Sequence, residues 1–170
     1  VKRLLIDAGD KELVHYEEAR KLYRTEFDKD PFYKIQHYPG MPETLKTLKQ
    51  NGVKLGVCSN KPHEAAVKVV KRMFGDQVFD MVMGQSDSIR KKPAPDGPLK
   101  IAEAFGVLPE ECMYLGDSGT DMQTGKAAGM YTVGVLWGYR EKEELLKNGA
   151  DALVYSPEDI LDLYEEICSK

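Results

Sequence analysis

The sequence predicts an α/β fold built on a parallel sheet, and three observations support this prediction. From residue 52 onward, short apolar runs rich in β-branched residues alternate with segments that have the composition of helices. The apolar runs are continuous, which is typical of strands covered on both faces. Glycines stand where three of the helical segments should end, at positions 52, 75 and 106. Strands and helices that alternate in this way form a layered domain with helices on both faces of the sheet.

The predicted strands are the apolar runs at residues 53–58, 78–83, 112–115, 131–136 and 152–154. The predicted helices span residues 41–50, 63–73 and 96–105, and a last helix follows Ser156. Pro42 stands in the first turn of the first of these helices, where its fixed φ suits a helix start. In the last helix, Ser156 is the expected N-cap, and Glu158 and Asp159 suit the first turn.

The first part of the chain has a different pattern, which predicts a helical unit over residues 1–36 that is separate from the sheet domain of residues 37–170. Asp10 is the expected cap of a long helix with one apolar stripe, formed by Leu13, Tyr16, Ala19, Tyr23 and Phe27. The only strand-like run in this part is Leu4-Leu5-Ile6.

Composition restricts the class of partner. A net charge of −4 over 170 residues argues against nucleic acid or an anionic membrane as the main partner. No apolar run is long enough to span a bilayer. Two of the three cysteines, Cys58 and Cys112, lie in apolar runs, which favours buried, reduced thiols in a cytoplasmic protein.

A pair of acids marks the carboxyl end of one predicted strand. Gly116-Asp117 follows the apolar run at residues 112–115, and Asp121 comes four residues later. Open α/β sheets bind ligands at this edge, and Mg²⁺ is commonly held by one or two carboxylates together with water and phosphate oxygens. The alternative for these acids is capping of the following helix.

Two other predicted strands lead into groups suited to phosphate. Ser59 and Asn60 follow the run at residues 53–58, where a hydroxyl and backbone N–H groups can bind an anion. Lys92 stands before Pro93 in a loop that the prolines keep extended. Taken singly, the first pattern is also common at helix starts, and the second is also typical of a solvated basic loop.

Together these patterns resemble the haloacid dehalogenase superfamily, in particular its phosphoglycolate phosphatase-like branch. The resemblance extends over residues 10–170 and rests on Ser59-Asn60-Lys61-Pro62, Arg90-Lys91-Lys92-Pro93-Ala94-Pro95-Asp96, Gly116-Asp117-Ser118-x-x-Asp121, and the segments 38–42, 127–130 and 135–139. It implies a Rossmann-like core at residues 37–170 and the C-terminal part of a small helical cap at residues 1–36.

One motif of that superfamily departs from its usual form. Members begin with a strand followed by Asp-x-Asp-Gly-Thr, whose first aspartate is the nucleophile. Here Leu4-Leu5-Ile6-Asp7 is followed by Ala8-Gly9-Asp10, with the second acid one residue late and no Gly-Thr. Asp7 is therefore either a degenerate nucleophile or, as we favour, no nucleophile at all. On the favoured reading, residues 8–14 open the last cap helix, the central strand and nucleophile belong to an N-terminal segment outside this sequence, and residues 1–170 alone are inactive.

The resemblance implies a Mg²⁺-dependent phosphatase that hydrolyses a small, phosphoglycolate-like phosphomonoester through an aspartyl-phosphate intermediate. Ser59 and the Asn60 N–H would hold phosphate oxygens, Lys92 would offset negative charge, Asp117 would bind the metal, and Asp121 would bind it or orient its water. The implied protein acts as a monomer or homodimer. The alternatives are a haloacid dehalogenase of the same fold, which needs no metal, and a non-catalytic phosphate-binding or interaction protein.

Overall fold

The computed structural model of the chain describes residues 1–30, 32 and 34–169. Its backbone divides into two compact units, Val1–Ile35 and Gln36–Lys170. Among the helices of these described residues, none has both the length and the apolar character that a membrane-spanning helix needs.

The first unit contains helices α1 (Lys2–Asp7) and α2 (Tyr16–Lys29). The strand-like run Leu4-Leu5-Ile6 is therefore helical, with Leu4 71% exposed, so the strand that a nucleophilic Asp7 would need is absent from this segment. That this unit is part of a cap domain stays a prediction.

The predicted start of the long helix was wrong. Asp10 does accept hydrogen bonds from backbone N–H groups, those of Val14 and His15, both at 2.9 Å. These groups belong to a turn, because Leu13 has a φ of 57° and cannot continue a right-handed helix. The helix begins only at Tyr16.

The second unit alternates helices and strands. In chain order they are α3 (Met41–Gln50), β1 (Gly56–Pro62), α4 (His63–Phe74), β2 (Met81–Gln85), α5 (Asp96–Phe105), the 3₁₀ turn Pro109–Glu111, β3 (Met113–Gly116), α6 (Gly119–Ala127), β4 (Tyr131–Val135), α7 (Lys142–Lys147), β5 (Ala152–Val154) and α8 (Asp159–Cys168).

All strand pairing in these elements is parallel, which confirms the predicted fold class. β1 pairs with β2, starting from Gly56 opposite Met81. β4 lies between β3 and β5, with Val133 opposite both Leu115 and Ala152. Within the described residues the strands thus form a two-stranded sheet, β1–β2, and a three-stranded sheet, β3–β4–β5.

Two strands, β1 and β2, begin three residues later than predicted, at Gly56 and Met81 instead of residues 53 and 78, and both for the same reason. The Asp80 carboxylate accepts the Leu55 N–H at 2.7 Å and the Lys49 ammonium at 2.6 Å, while the Asp80 N–H donates to the Leu55 carbonyl at 2.8 Å. A side chain therefore replaces the ladder partner of Leu55, and regular pairing begins only at Gly56 and Met81.

The last helix also begins later than predicted. Ser156 is not its N-cap, because α8 starts at Asp159. The Asp159 carboxylate instead accepts from the N–H groups of Tyr155 and Ser156 and from the Ser156 hydroxyl, at 2.8, 3.1 and 2.9 Å. Ser156 was expected to accept a hydrogen bond from the first turn of the helix, but it donates to Asp159 of that turn instead.

Within the described residues, buried hydrophobic side chains form three core clusters. One cluster joins α3, β4, β5 and α8, and its buried members are Leu48, Val133, Val135, Val154 and Ile160. Leu145 of α7 is fully buried against β4, where a Cβ on Gly134 would lie 3.0 Å from the Leu145 Cδ1.

Replacing Leu145 should test this packing. We expect Leu145→Ala to lower the free energy of unfolding of the whole protein by about 2–5 kcal/mol, through lost burial and a residual cavity. The matched control is its neighbour Leu146, which is 48% exposed, so that Leu146→Ala should change stability by about 0.5 kcal/mol or less. Urea unfolding measures both, and equal losses in the two variants would contradict the packing.

Candidate active site

Lys92 links the two sheets. Its ammonium Nζ donates to Asp121 Oδ1 at 2.7 Å and to the Cys58 carbonyl oxygen at 3.3 Å. Cys58 belongs to β1, whereas Asp121 lies in the first turn of α6, which follows β3. Because the Lys92 side chain is only 17% exposed, it is not part of a solvated basic loop.

Asp121 is held in place from both sides of its carboxylate. One oxygen accepts from Lys92 and the other from the Ser118 hydroxyl, which in turn accepts the Asp121 N–H at 3.3 Å and caps α6. A Cβ at Gly116 would lie 2.2 Å from the Asp121 Cβ, so only glycine at this position leaves room for the aspartate. The buried carboxylate is thus fixed beside the Lys92 ammonium.

Ser59 lies where the pairing of β1 becomes irregular. The register of β1 with β2 shifts between Cys58 and Pro62, so residues 59–61 lie at a bulge. Bulges of this kind are common next to active sites because they redirect side chains and backbone groups. The Ser59 hydroxyl oxygen accepts the Lys61 N–H at 3.2 Å and keeps its own proton for a further bond.

Asn60 contacts the lysine loop with its side chain. Its Oδ1 accepts the Lys92 N–H at 2.8 Å, and its Nδ2 donates to the Lys92 carbonyl oxygen at 3.3 Å. The sequence assigned only the backbone N–H of Asn60 to the site. The structure therefore adds the Asn60 side chain to the candidate site.

A second interaction closes the loop that carries Lys92. Arg90 Nε and one terminal nitrogen donate to the two Asp96 oxygens at 2.8 and 2.7 Å, which is a two-point ion pair. The Arg90 guanidinium holds the pKa of the Asp96 carboxyl at about 2, below its usual range. Since Asp96 begins α5, this pair ties the start of the loop to the helix that follows it.

Asp117 lies at the end of β3 with a separate set of contacts. Its Oδ2 accepts the Tyr139 N–H at 3.1 Å, and a Cβ on Gly138 would lie 2.2 Å from the Asp117 Cβ. Burial raises the pKa of the Tyr38 hydroxyl, and Tyr139 and Asp117 contribute in the same direction. The backbone of residues 138 and 139 therefore lies against this carboxylate.

The donor chemistry of these residues fits Mg²⁺. The described part of the chain contains no group of three or more His, Cys, Asp or Glu side chains able to hold a metal. Mg²⁺ does not require such a group, because it usually keeps several waters and takes one or two carboxylates with phosphate oxygens. Within the described residues, both oxygens of Asp121 accept a hydrogen bond, from Lys92 and Ser118, whereas Asp117 accepts one on Oδ2 alone, so Asp117 would offer the more open carboxylate.

The thiol nearest to this site is not activated. Burial raises the pKa of Cys58 above its usual value, more than the nearby Lys92 lowers it. Cys58 is therefore a neutral thiol at neutral pH, which disfavours a cysteine nucleophile. Both Cys58 and Cys112 are half-buried and reduced, so the expected burial was overestimated.

One contact of the candidate site, that of Ser118, was missed although the sequence carries a signal for it. Ser118-Gly119-Thr120-Asp121 has the serine-to-acid spacing of an N-terminal helix cap. The capping alternative for Asp121 was wrong, because Ser118 caps α6 and the Asp121 carboxylate accepts from the Ser118 hydroxyl and the Lys92 ammonium.

Comparison with known proteins links this geometry to a family. The family model described as haloacid dehalogenase-like hydrolase matches residues 2–135. A phosphoglycolate phosphatase from Aquifex aeolicus is 33% identical over 149 residues, which cover 88% of this chain and 68% of the relative. The phosphoglycolate phosphatase of Escherichia coli strain K12 is 34% identical over 124 residues, covering 73% of this chain but only 49% of the relative. The chain thus spans about half the length of the second relative.

Solved structures agree on the fold. A haloacid dehalogenase-superfamily hydrolase from Geobacter sulfurreducens superposes with a TM-score of 0.63 at 32% identity, over 74% of this chain and 60% of that one. A haloacid dehalogenase-like hydrolase from Streptococcus pneumoniae gives a TM-score of 0.79 over 88% of this chain and 70% of that one. At 22% identity, the second likeness concerns the fold alone.

The Arg90–Asp96 pair generates a pH prediction. Its contribution to stability is present above the unfolded-state pKa of Asp, about 3.9, and is lost as the pH falls toward the folded value of about 2. We expect NMR titration of the Asp96 carboxyl to give that low value, and Arg90→Ala to raise it toward about 3.9. Lys91→Ala is the control and should leave the Asp96 titration unchanged. A parent protein in which Asp96 titrates near the ordinary value would show that the pair does not form.

Proposed function

Because this chain belongs to the haloacid dehalogenase-like hydrolase family, we propose that the whole protein is a Mg²⁺-dependent phosphatase that acts on a small phosphomonoester. The observation that supports this most directly is the half-buried Lys92 ammonium, fixed between β1 and Asp121 at the ends of parallel strands. Relatives named phosphoglycolate phosphatase favour phosphate ester cleavage over carbon–halogen cleavage and suggest a phosphoglycolate-like substrate.

In the proposed mechanism the protein positions groups around a tetrahedral phosphate. The Ser59 hydroxyl and the Asn60 N–H hold phosphate oxygens at the bulge of β1. Lys92 neutralises charge that builds up between phosphate and nucleophile. Asp117 would hold Mg²⁺, which when bound offsets charge on the phosphate oxygens. Asp121 keeps Lys92 oriented through the 2.7 Å contact.

The proposed nucleophile is an aspartate on a strand between β1 and β3. Its carboxylate oxygen attacks phosphorus as the bond to the leaving oxygen breaks, and water then cleaves the aspartyl-phosphate to release phosphate. Within the described residues β1 pairs only with β2, and β3 pairs only with β4. Each therefore keeps one edge whose N–H and C=O groups a further strand could pair. On this proposal, residues 1–170 without such a strand do not hydrolyse phosphate esters.

The first test replaces the lysine. We expect Lys92→Ala to lower turnover of a small aryl phosphate by the whole protein by about 100-fold or more, because charge on the transferring phosphoryl group loses its cation. Circular dichroism should show a retained fold, since Ser118 still donates to Asp121. Lys91→Ala, the exposed neighbour, is the matched control and should keep the parent's turnover. Turnover of Lys92→Ala within threefold of the parent would remove Lys92 from the mechanism, and phosphate binding without hydrolysis in the parent would favour the non-catalytic alternative.

The second test concerns the metal. Asp117→Asn should shift the Mg²⁺ concentration that half-activates the enzyme upward by about tenfold or more, because a neutral amide is a weaker ligand for a hard cation. Its oxygen can still accept the Tyr139 N–H, so the melting temperature should not fall. Asp162→Asn, on the exposed face of α8, should leave the Mg²⁺ titration unchanged. An unchanged titration for Asp117→Asn would make Asp117 a structural residue only.

A further inference from the structure

The side chain of Asn60 binds both backbone groups of a single residue, Lys92. Its carboxamide oxygen accepts the Lys92 N–H at 2.8 Å, and its nitrogen donates to the Lys92 carbonyl oxygen at 3.3 Å. The two residues are 32 positions apart, so this contact fixes a loop to a strand across the fold.

The direction of each bond fixes the orientation of the amide. The Lys92 N–H can only donate and its carbonyl can only accept, so one face of the Asn60 carboxamide satisfies both. The carboxamide offers this acceptor and this donor in one plane and without a charge at neutral pH.

The same strand also holds the other end of Lys92. The ammonium Nζ contacts the carbonyl oxygen of Cys58, two residues before Asn60 in β1. Lys92 is thus tied to β1 at its backbone and at the tip of its side chain, and the remaining contact of the ammonium is Asp121. A shift of the backbone would therefore move the ammonium out of the short contact with Asp121.

We propose that the Asn60 side chain is the positioning group for Lys92. It sets the loop backbone so that the ammonium reaches Asp121 and the site beside β1. This inference rests on the proposed function for its kinetic consequence, but not for its structural one. It is also distinct from phosphate binding by the Asn60 N–H, because replacing the side chain by that of Ala or Asp keeps that N–H.

The structural test follows the Lys92 amide by NMR in the whole protein. We expect Asn60→Ala to accelerate hydrogen exchange of the Lys92 N–H by about tenfold, the equilibrium equivalent of one lost hydrogen bond. Asn51→Ala, at an exposed asparagine after α3, should leave that rate unchanged. Exchange of the Lys92 N–H within twofold of the parent in Asn60→Ala would overturn the proposal.

A second variant covers the case in which Asn60→Ala does not fold. In Asn60→Asp the ionised carboxylate can accept the Lys92 N–H but faces the Lys92 carbonyl oxygen without a proton. When protonated, it can reproduce both bonds of the amide. The Lys92 amide resonance should therefore return toward its parent position as this carboxyl is protonated, and a resonance that does not respond to that titration would overturn the proposal.

The kinetic test separates positioning from a general structural role. Asn60→Ala should lower kcat by about 10- to 100-fold with KM changed less than about threefold, as misplacement of a catalytic group does. In a Lys92→Ala background the same substitution should have almost no further effect, because the group it positions is gone. Full additivity of the two losses would contradict action through Lys92. If the parent has no phosphatase activity, the proposed function fails, while the exchange rates still decide the positioning role.

Discussion

The ion pair between Lys92 and Asp121 is the interaction on which the arrangement of this site depends. The two side chains are 17% and 10% exposed, so neither charge has its full hydration. Partial burial of this kind is costly unless each charge is paired and hydrogen-bonded further. Ser118 supplies the second bond to the carboxylate and the Cys58 carbonyl the second bond to the ammonium. The contacts with Ser118 and the Cys58 carbonyl therefore stabilise the two partly buried charges of the pair.

This pair also connects parts of the fold that backbone hydrogen bonds leave separate. In the described residues the β1–β2 sheet and the β3–β4–β5 sheet share no ladder. One link between the two sheets runs through Lys92. A second is the Tyr114 hydroxyl of β3, which lies against Cys58 of β1 and whose pKa is raised by burial. The Tyr114 side chain of the three-stranded sheet thus reaches Cys58 of the two-stranded sheet. The Lys92 ammonium, the Ser118 hydroxyl and the Asp121 carboxylate contact one another at this link.

A feature of this fold could be predicted from the sequence where the residues that determine it are neighbours in the chain. The helices at residues 41–50 and 96–105 have the predicted bounds because proline, acids and glycine at their ends act within one turn. The sequence singles out Ser59, Lys92 and Asp117 as candidates because each comes after an apolar run, and their roles stay a prediction. The turn at Asp10 was misread because a left-handed Leu13 has no sequence signal. The Asn60 amide was missed for a different reason, since its partner is 32 residues away and is a backbone group that every residue possesses.

The two interactions that hold the Lys92 loop differ in how they respond to pH. The Asn60 carboxamide does not titrate, and the Arg90–Asp96 pair stays intact until the pH approaches the Asp96 pKa of about 2. A phosphomonoester, by contrast, loses its second proton near pH 6. The position of Lys92 should therefore be constant over the whole range in which the proposed substrate changes charge. It follows that a pH dependence of activity near neutrality would report the protonation of the phosphate or of the groups that act on it, and not a movement of the loop that carries the lysine.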